Sequence, residues 1–322
     1  MAVLPYGMFD LGWSAGEARR LDRAGNIYHR GQALAWNGQE VLAELVERHG
    51  GIRVAADKRS ALGAVFGSIL WGELAAWKIS AQLADRLEPL EAKMAATSQA
   101  HDEARHFYVM HDYLVAATGA PPPRLHPASE ALLAAVLETD DLPSKLLGMQ
   151  LQIETTALTL FQHAREARIC PVLSELLPYF EKDEARHVGL GTQVLPMLMR
   201  RMSRREGLRF SAFAVGVTYR LLAANHAMTE PMRTLGLDPR RVLQLAKSKQ
   251  MLVFEQLWEV APKKGPGVVD VVSRLLEAAA NAAWPPPGRE GSVGRALAFV
   301  AGLARGIDEV PTSIEPGEPA SK

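Results

Sequence analysis

The chain has 322 residues, 48% of them apolar, which fits a packed protein and argues against a disordered one. Thirty-six basic and 36 acidic residues leave a formal net charge of zero, so the electrostatic footprint of a nucleic-acid binder is missing. One cysteine, Cys170, excludes an internal disulfide framework and any site built from several thiolates. The first twenty residues do not read as a secretory signal. No run of uncharged apolar residues is long enough to predict a membrane span, and a cytoplasmic location is the expectation.

In chain order, residues 11–48 read as two helices joined near Asn37-Gly38. A long helix is expected over residues 58–87, stopped by Pro89, and a second over 90–118, ended by Gly119 and the prolines that follow. A short helix near 129–137 precedes one that Pro143 opens and that runs to about 167. A turn of helix follows Pro171, and Pro178 is expected to open the next long helix, to about 201. Residues 206–307 read as four more helices, broken at Gly236–Pro239, Pro262–Gly267 and Pro285–Gly291. The predicted fold is all-α, a four-helix bundle over residues 58–201. Helices in 1–57 and 202–310 should pack on that bundle, and 311–322 should be a disordered tail.

The pentapeptide Asp-Glu-Ala-Arg-His occurs twice, at 102–106 and 183–187. Each copy holds Glu-x-x-His, whose Glu and His lie on one helix face: Glu103 with His106, and Glu184 with His187. Glu73 precedes Glu103 by 30 residues, and Glu154 precedes Glu184 by the same interval. Both sit in strongly apolar helical stretches, where a lone carboxylate is costly unless paired or bound to metal. Two antiparallel helix pairs would bring four Glu and two His to one level of the bundle, a convergence that requires cations. Oxygen-rich ligation with one imidazole per metal suits iron or manganese better than zinc or copper.

This pattern resembles the ferritin-like di-iron carboxylate superfamily, over about residues 58–201. The resemblance implies one metal on Glu73, Glu103 and His106, a second on Glu154, Glu184 and His187, and bridging by Glu103 and Glu184. The repeated Asp-Glu-x-Arg-His is similar to that of bacterial multicomponent monooxygenases and their ribonucleotide-reductase-like relatives. It implies that Asp102 accepts from His187 and Asp183 from His106, with Arg105 and Arg186 in support.

The departures narrow the resemblance. Met110 stands where a radical-generating reductase subunit has Tyr, so ribonucleotide reduction is not expected. Ala75 and Met149 replace the Val and Tyr of the crosslink in ligand-binding oxidases. Leu158 replaces the monooxygenase Thr, and Phe180 stands where arylamine N-oxygenases add a seventh ligand, His. Glu181 shares a face with Glu184 as an alternate ligand or a surface charge, and His101 points elsewhere.

The implied function is an O₂-activating dimetal oxygenase or oxidase, with two irons or a manganese–iron pair and an apolar or partly apolar small-molecule substrate. Residues one turn from the ligands, Leu70, Trp77, Met110, Leu158, Phe180 and Gly191, are the expected pocket. No nucleotide, flavin or haem cofactor is expected. Electrons must then come from an external reductase or ferredoxin, and a homodimer is compatible with the chain. A ferroxidase or iron-storage protein and a non-catalytic binding subunit are the alternatives.

Overall fold

The structure, a computed structural model, describes residues 22–260 and 266–305. The expected tail at 311–322, the stretch 11–21 and part of the 262–267 break lie outside the described residues. Among those described there is no strand. The fold is a helical bundle with further helices before and after it.

Four long helices form the bundle: α3 (Arg59–Arg86), α4 (Leu90–Thr118), α7 (Glu154–Glu166) and α8 (Pro171–Arg200). Before them come α1 (Asp22–Ala33) and α2 (Gly38–Arg48). Between α4 and α7 lie α5 (Pro127–Glu138), the short α6 (Leu142–Leu146) and a π-helical segment over Leu147–Ile153. After the bundle follow α9 (Arg204–Ala227), α10 (Thr229–Thr234), α11 (Pro239–Val260), α12 (Pro266–Ala283) and α13 (Ser292–Arg305).

Local chemistry sets most of these ends. Asn37 caps α2 by accepting from the backbone N–H of Gln39 and Glu40. Gly119 closes α4 in the left-handed region, at φ 71°, where a side chain would be strained. Ser203 and Glu206 form a reciprocal capping box at the start of α9.

Two expectations are corrected. Pro178 opens no helix; it lies inside α8, which already begins at Pro171. An internal proline costs about 3 kcal/mol, but Val172, Leu173, Leu176, Leu177 and Phe180 around it are all fully buried, and that packing carries the helix through. The segment opened near Pro143 is not one α-helix, because residues Leu147–Ile153 widen into a π turn. Its effect is local and specific: the Glu154 N–H bonds the Met149 carbonyl, five residues back, which shifts the register in which Glu154 faces the bundle.

α3 packs chiefly on α4, and α7 on α8. One apolar cluster gathers Leu62, Phe66, Val109, Tyr113, Phe161 and Leu176. A second gathers Ile79, Leu83, Ala92, Leu147, Leu190 and Val194. Along α3, α4 and α8 the acidic and imidazole residues fall between these clusters, so the polar layer is sealed at both ends by core. α3 is the one described helix long and apolar enough to cross a membrane; Glu73 interrupts its run, and just over half of its apolar window (56%) is buried within the protein.

Gly191 belongs to this packing and not to a pocket. A Cβ there would stand 2.7 Å from Leu151 Cδ2 and 2.8 Å from Gln150 Cβ, both on the π segment. Gly191→Ala should therefore destabilise the protein by about 1–3 kcal/mol through overpacking, read as a lower midpoint in denaturant unfolding. An unchanged midpoint would show that α8 and the π segment are free to separate.

Candidate dimetal centre

The sequence-predicted ligands come from all four bundle helices. Glu73 lies midway along α3, Glu103 and His106 in the centre of α4, Glu154 at the first position of α7, and Glu184 and His187 midway along α8. All six side chains are buried. They form two nests that share Glu103 and Glu184: Glu73, Glu103, His106 and Glu184 in one, and Glu103, Glu154, Glu184 and His187 in the other. In each nest one oxygen or ring nitrogen per residue lies within 4.8 Å of the others.

Each imidazole is held from behind by an aspartate of the opposite half. His106 Nε2 is 3.0 Å from Asp183 Oδ2, and His187 Nε2 is 3.4 Å from Asp102 Oδ2. Burial alone pushes Asp183 up, but His106, Arg186 and Arg105 together hold it well below the usual carboxylate range, so it is ionised and can only accept. The proton between them therefore sits on Nε2, and Nδ1 faces the nest. His106 Nδ1 lies 3.5 Å from Glu73 Oε2, 3.5 Å from Glu103 Oε2 and 3.2 Å from Glu184 Oε1. His187 Nδ1 lies 3.0 Å from Glu103 Oε1 and 3.1 Å from Glu184 Oε2.

The arginines join the halves. Arg105 Nη2 donates to Asp102 Oδ1 at 2.6 Å and to Asp183 Oδ2 at 2.8 Å. Arg186 Nη2 reaches Asp102 Oδ2 at 3.1 Å and also bonds Asp183 Oδ1. Two carboxylates and two guanidiniums thus form a closed, buried, charge-balanced square.

Outside that square, charge is not balanced. Burial, together with the negative charges of Glu184 and Glu103, pushes Glu73 and Glu154 well above the ordinary carboxylate range. Burial acts against charge on His106 and His187 too, yet the surrounding carboxylates raise both imidazoles well above their ordinary value. Burial also raises Glu103, but the two imidazoles outweigh it and hold Glu103 well below the usual range. The nests demand positive charge.

The donor set fits metal ions. Glu103 Oε2, His106 Nδ1 and Glu184 Oε1 are buried and lack a hydrogen-bond partner, and all three face the same nest. Buried polar atoms left without a partner are costly, and a cation among these three would satisfy them together.

Several residues of the site carry no motif. Trp36, in the link between α1 and α2, donates from Nε1 to Asp183 Oδ2 at 2.8 Å, and the Arg105 guanidinium lies over its ring at 4.8 Å. Gln99 donates to both Glu103 Oε1 (3.0 Å) and Glu154 Oε1 (2.9 Å), while Gln150 of the π segment donates to Gln99 Oε1 at 3.2 Å. One signal for Gln99 was available: it lies four residues before Glu103, on its face of the helix. Trp36 offered none. Phe180 stacks on His106, with ring centroids 4.3 Å apart. Glu181 is in neither nest; it is buried 3.4 Å from Arg165 Nε. His101 is largely exposed and lies beside Arg105.

A cavity of about 120 Å³ opens on Glu73 and Glu154. None of the six residues expected to line a pocket lines this cavity. Trp77 is 41% exposed, Leu70, Met110, Leu158 and Phe180 are core, and Gly191 packs on the π segment. The cavity lies on a neighbouring strip of the same helices: Ile69 and Ala76 on α3, Ala157 and Leu160 on α7, with Leu221 and Met228 across from them.

No protein-family model matches the sequence, and no curated protein does. Solved structures do. An R2-like ligand-binding oxidase with an aerobically reconstituted Mn/Fe cofactor superposes with a TM-score of 0.54 at 16% identity, over 72% of this chain and 92% of that one. The R2-like ligand-binding oxidase after photoconversion of its metal cofactor gives 0.52 at 18% identity, over 72% and 92%. An aldehyde deformylating oxidase from Synechococcus gives 0.49 at 18% identity, over 63% and 92%. The two superpositions on the ligand-binding oxidases show that the fold is a ferritin-like helical bundle.

Asp183→Ala should leave Arg105 and Arg186 sharing one buried carboxylate. Unfolding in denaturant should show a loss of about 3–5 kcal/mol, the cost of an uncompensated buried charge. A loss below about 1 kcal/mol, the scale of an exposed ion pair, would mean that water reaches the square.

Proposed function

We propose that this protein is an O₂-dependent dimetal oxidoreductase, an oxidase or oxygenase that acts on an apolar or partly apolar small molecule. The observation that carries the reading is the pair of buried nests sharing Glu103 and Glu184, with an apolar cavity against Glu73 and Glu154. Glu73, Glu103, Glu184 and His106 would hold one metal ion, and Glu103, Glu154, Glu184 and His187 the other. When bound, two irons, or manganese and iron, supply the electrons that reduce O₂.

The chain's own residues have distinct tasks. Asp183 and Asp102 fix the tautomer and direction of His106 and His187 from behind. Arg105, Arg186 and Trp36 hold those aspartates in place. Gln99 pins Glu103 and Glu154 by one amide, leaving their second oxygens to the nest. The two apolar clusters and Phe180 keep water from the site. The duplicated Asp–Arg pairs favour the monooxygenase-like and reductase-like branch over the ferritins. A flavin or iron–sulfur motif is missing from the sequence, so electrons would come from a separate reductase or ferredoxin.

Metal analysis after expression with iron and manganese tests the proposal. Two metal ions per chain are expected, with O₂ consumed by the reduced protein in a single turnover. Iron in the hundreds per chain would identify storage instead, and a metal-free protein would favour a binding subunit. His187→Ala should lose metal and keep its helical circular dichroism, since apolar burial and not the metal supplies most of the folding free energy. Asp183→Asn, which keeps the shape but loses the charge, should weaken metal binding by roughly 10–100-fold.

A further inference from the structure

Arginines crowd one place in a chain that has as many acidic as basic residues. Arg200, Arg201, Arg204, Arg205 and Arg209 fall around the start of α9, and all of them are exposed. Glu206 is the one acidic residue of α9, and the capping box with Ser203 occupies it. Arg201 pairs with Glu88 at 3.2 Å. Arg204, Arg205 and Arg209 enter no hydrogen bond or short ion pair among the described residues.

The same helix exposes an apolar line. Leu208, Ala212, Val215 and Tyr219 follow one another at steps of four, three and four residues, which keeps them on one face. Leu208 is 73% exposed, Tyr219 69% and Val215 42%. At 1.5 Å per residue the line is about 17 Å long. At about 100° per residue, Arg204 lies on one side of it, and Arg205, Arg209 and Arg220 on the other. The inward face is anchored, because Phe210, Phe213, Val217 and Leu221 pack into the second apolar cluster. α13 makes a useful contrast. It too exposes an apolar stripe, Val293, Leu297 and Val300, but Arg295 beside it is turned back onto the carbonyls of Glu290, Ala282 and Ala283.

We propose that the outer face of α9 docks on an anionic lipid surface, with Leu208, Val215 and Tyr219 in the headgroup layer and the arginines on lipid phosphates. An apolar stripe between cations suits a helix that lies in the plane of a membrane interface. A guanidinium can meet a phosphate through two parallel N–H bonds, and a tyrosine suits a layer that is apolar on one side and wet on the other. Each arginine beside an anionic bilayer strengthens binding by about fivefold. Charge argues against a second copy as the occupant, since a two-fold contact would set this patch against itself, arginine facing arginine. Shape argues against a protein segment, since the face is a single convex helix and offers no groove. The proposal is independent of the dimetal reading.

Sedimentation of the full chain with vesicles tests it. Vesicles of phosphatidylglycerol and phosphatidylcholine in equal parts should bind the protein. Phosphatidylcholine alone, or the mixed vesicles at high salt, should bind it at least tenfold more weakly. Leu208→Glu combined with Tyr219→Glu should weaken binding tenfold or more. Arg204→Ala, Arg205→Ala and Arg209→Ala together should do the same and remove the preference for the anionic lipid. All these side chains are exposed, so helical circular dichroism should stay unchanged. Leu297→Glu on α13 should leave binding within about twofold of the wild type. No sedimentation with mixed vesicles, or equal binding to both compositions, would overturn the proposal. So would an equal loss in Leu297→Glu, which would show that any exposed apolar residue serves. A wild-type dimer that Leu208→Glu dissociates would make this face an interface between copies instead. Binding to polyglutamate but not to vesicles would assign it to an acidic protein.

Discussion

Four glutamates meet in the interior of a helical bundle, and the rest of the structure answers to that one electrostatic demand. Buried carboxylates repel one another and lose hydration, so each must find a proton, a cation or a donor. Among the described residues, the two imidazoles and the Gln99 amide are what reach them. The arginines are committed elsewhere, to Asp102 and Asp183, and are turned away from the glutamates. The guanidinium charges are therefore kept out of the nests by the same helices that supply the carboxylates. Such an arrangement leaves ligand oxygens available to a metal instead of neutralising them in advance.

The two faces of the polar layer differ in kind. Toward α1 and α2 lies the square of Asp102, Arg105, Asp183 and Arg186, covered by Trp36 and approached closely by the helix backbone. A Cβ at Gly38, at the start of α2, would stand 3.3 Å from Arg105 Cγ and nearer still to Val109. That face is rigid and dense with hydrogen bonds, and it fixes the imidazoles. Toward α5, α9 and α10 lie Glu73, Glu154 and the apolar cavity, where the wall offers few polar groups. Orientation is supplied from one side and space from the other. The nests also differ from each other, since Phe180 stacks on His106 while Gln99 and Gln150 serve the carboxylates near His187.

Much of the fold could be read from the chain because its signals are local. Pro89, Gly119 with the prolines after it, and Asn37 mark helix ends by chemistry that acts within a few residues. The repeated pentapeptide and the equal 30-residue intervals brought the six buried side chains to notice through helical periodicity and the cost of a buried carboxylate. What stayed hidden depends on packing between elements. Pro178 reads as a helix start until the neighbours that stabilise α8 are known. The π turn cannot be seen in a pattern of Leu, Gln and Met, yet it decides how Glu154 and Gln150 face the bundle. Trp36 is far from Asp183 in sequence, and only the docking of the α1–α2 link joins them.

The pocket shows the same limit at the scale of a single turn. Residues at i−3 and i+4 from a ligand share its face only when that face points straight into the core. Glu73 sits toward the edge of the buried strip, so Ala76 turns inward at 3% exposure while Trp77, one residue on, is 41% exposed. On α7, likewise, Ala157 reaches the cavity and Leu158 stays in the core. The cavity thus follows the i+3 edge of both helices, where small side chains stand. Two glycines make the contrast sharp. Gly191 is small because its neighbours come too close, and Gly72 is small where nothing comes close at all. Sequence alone gives both the same letter; only the atoms around them separate a residue that closes the core from one with open space beside it.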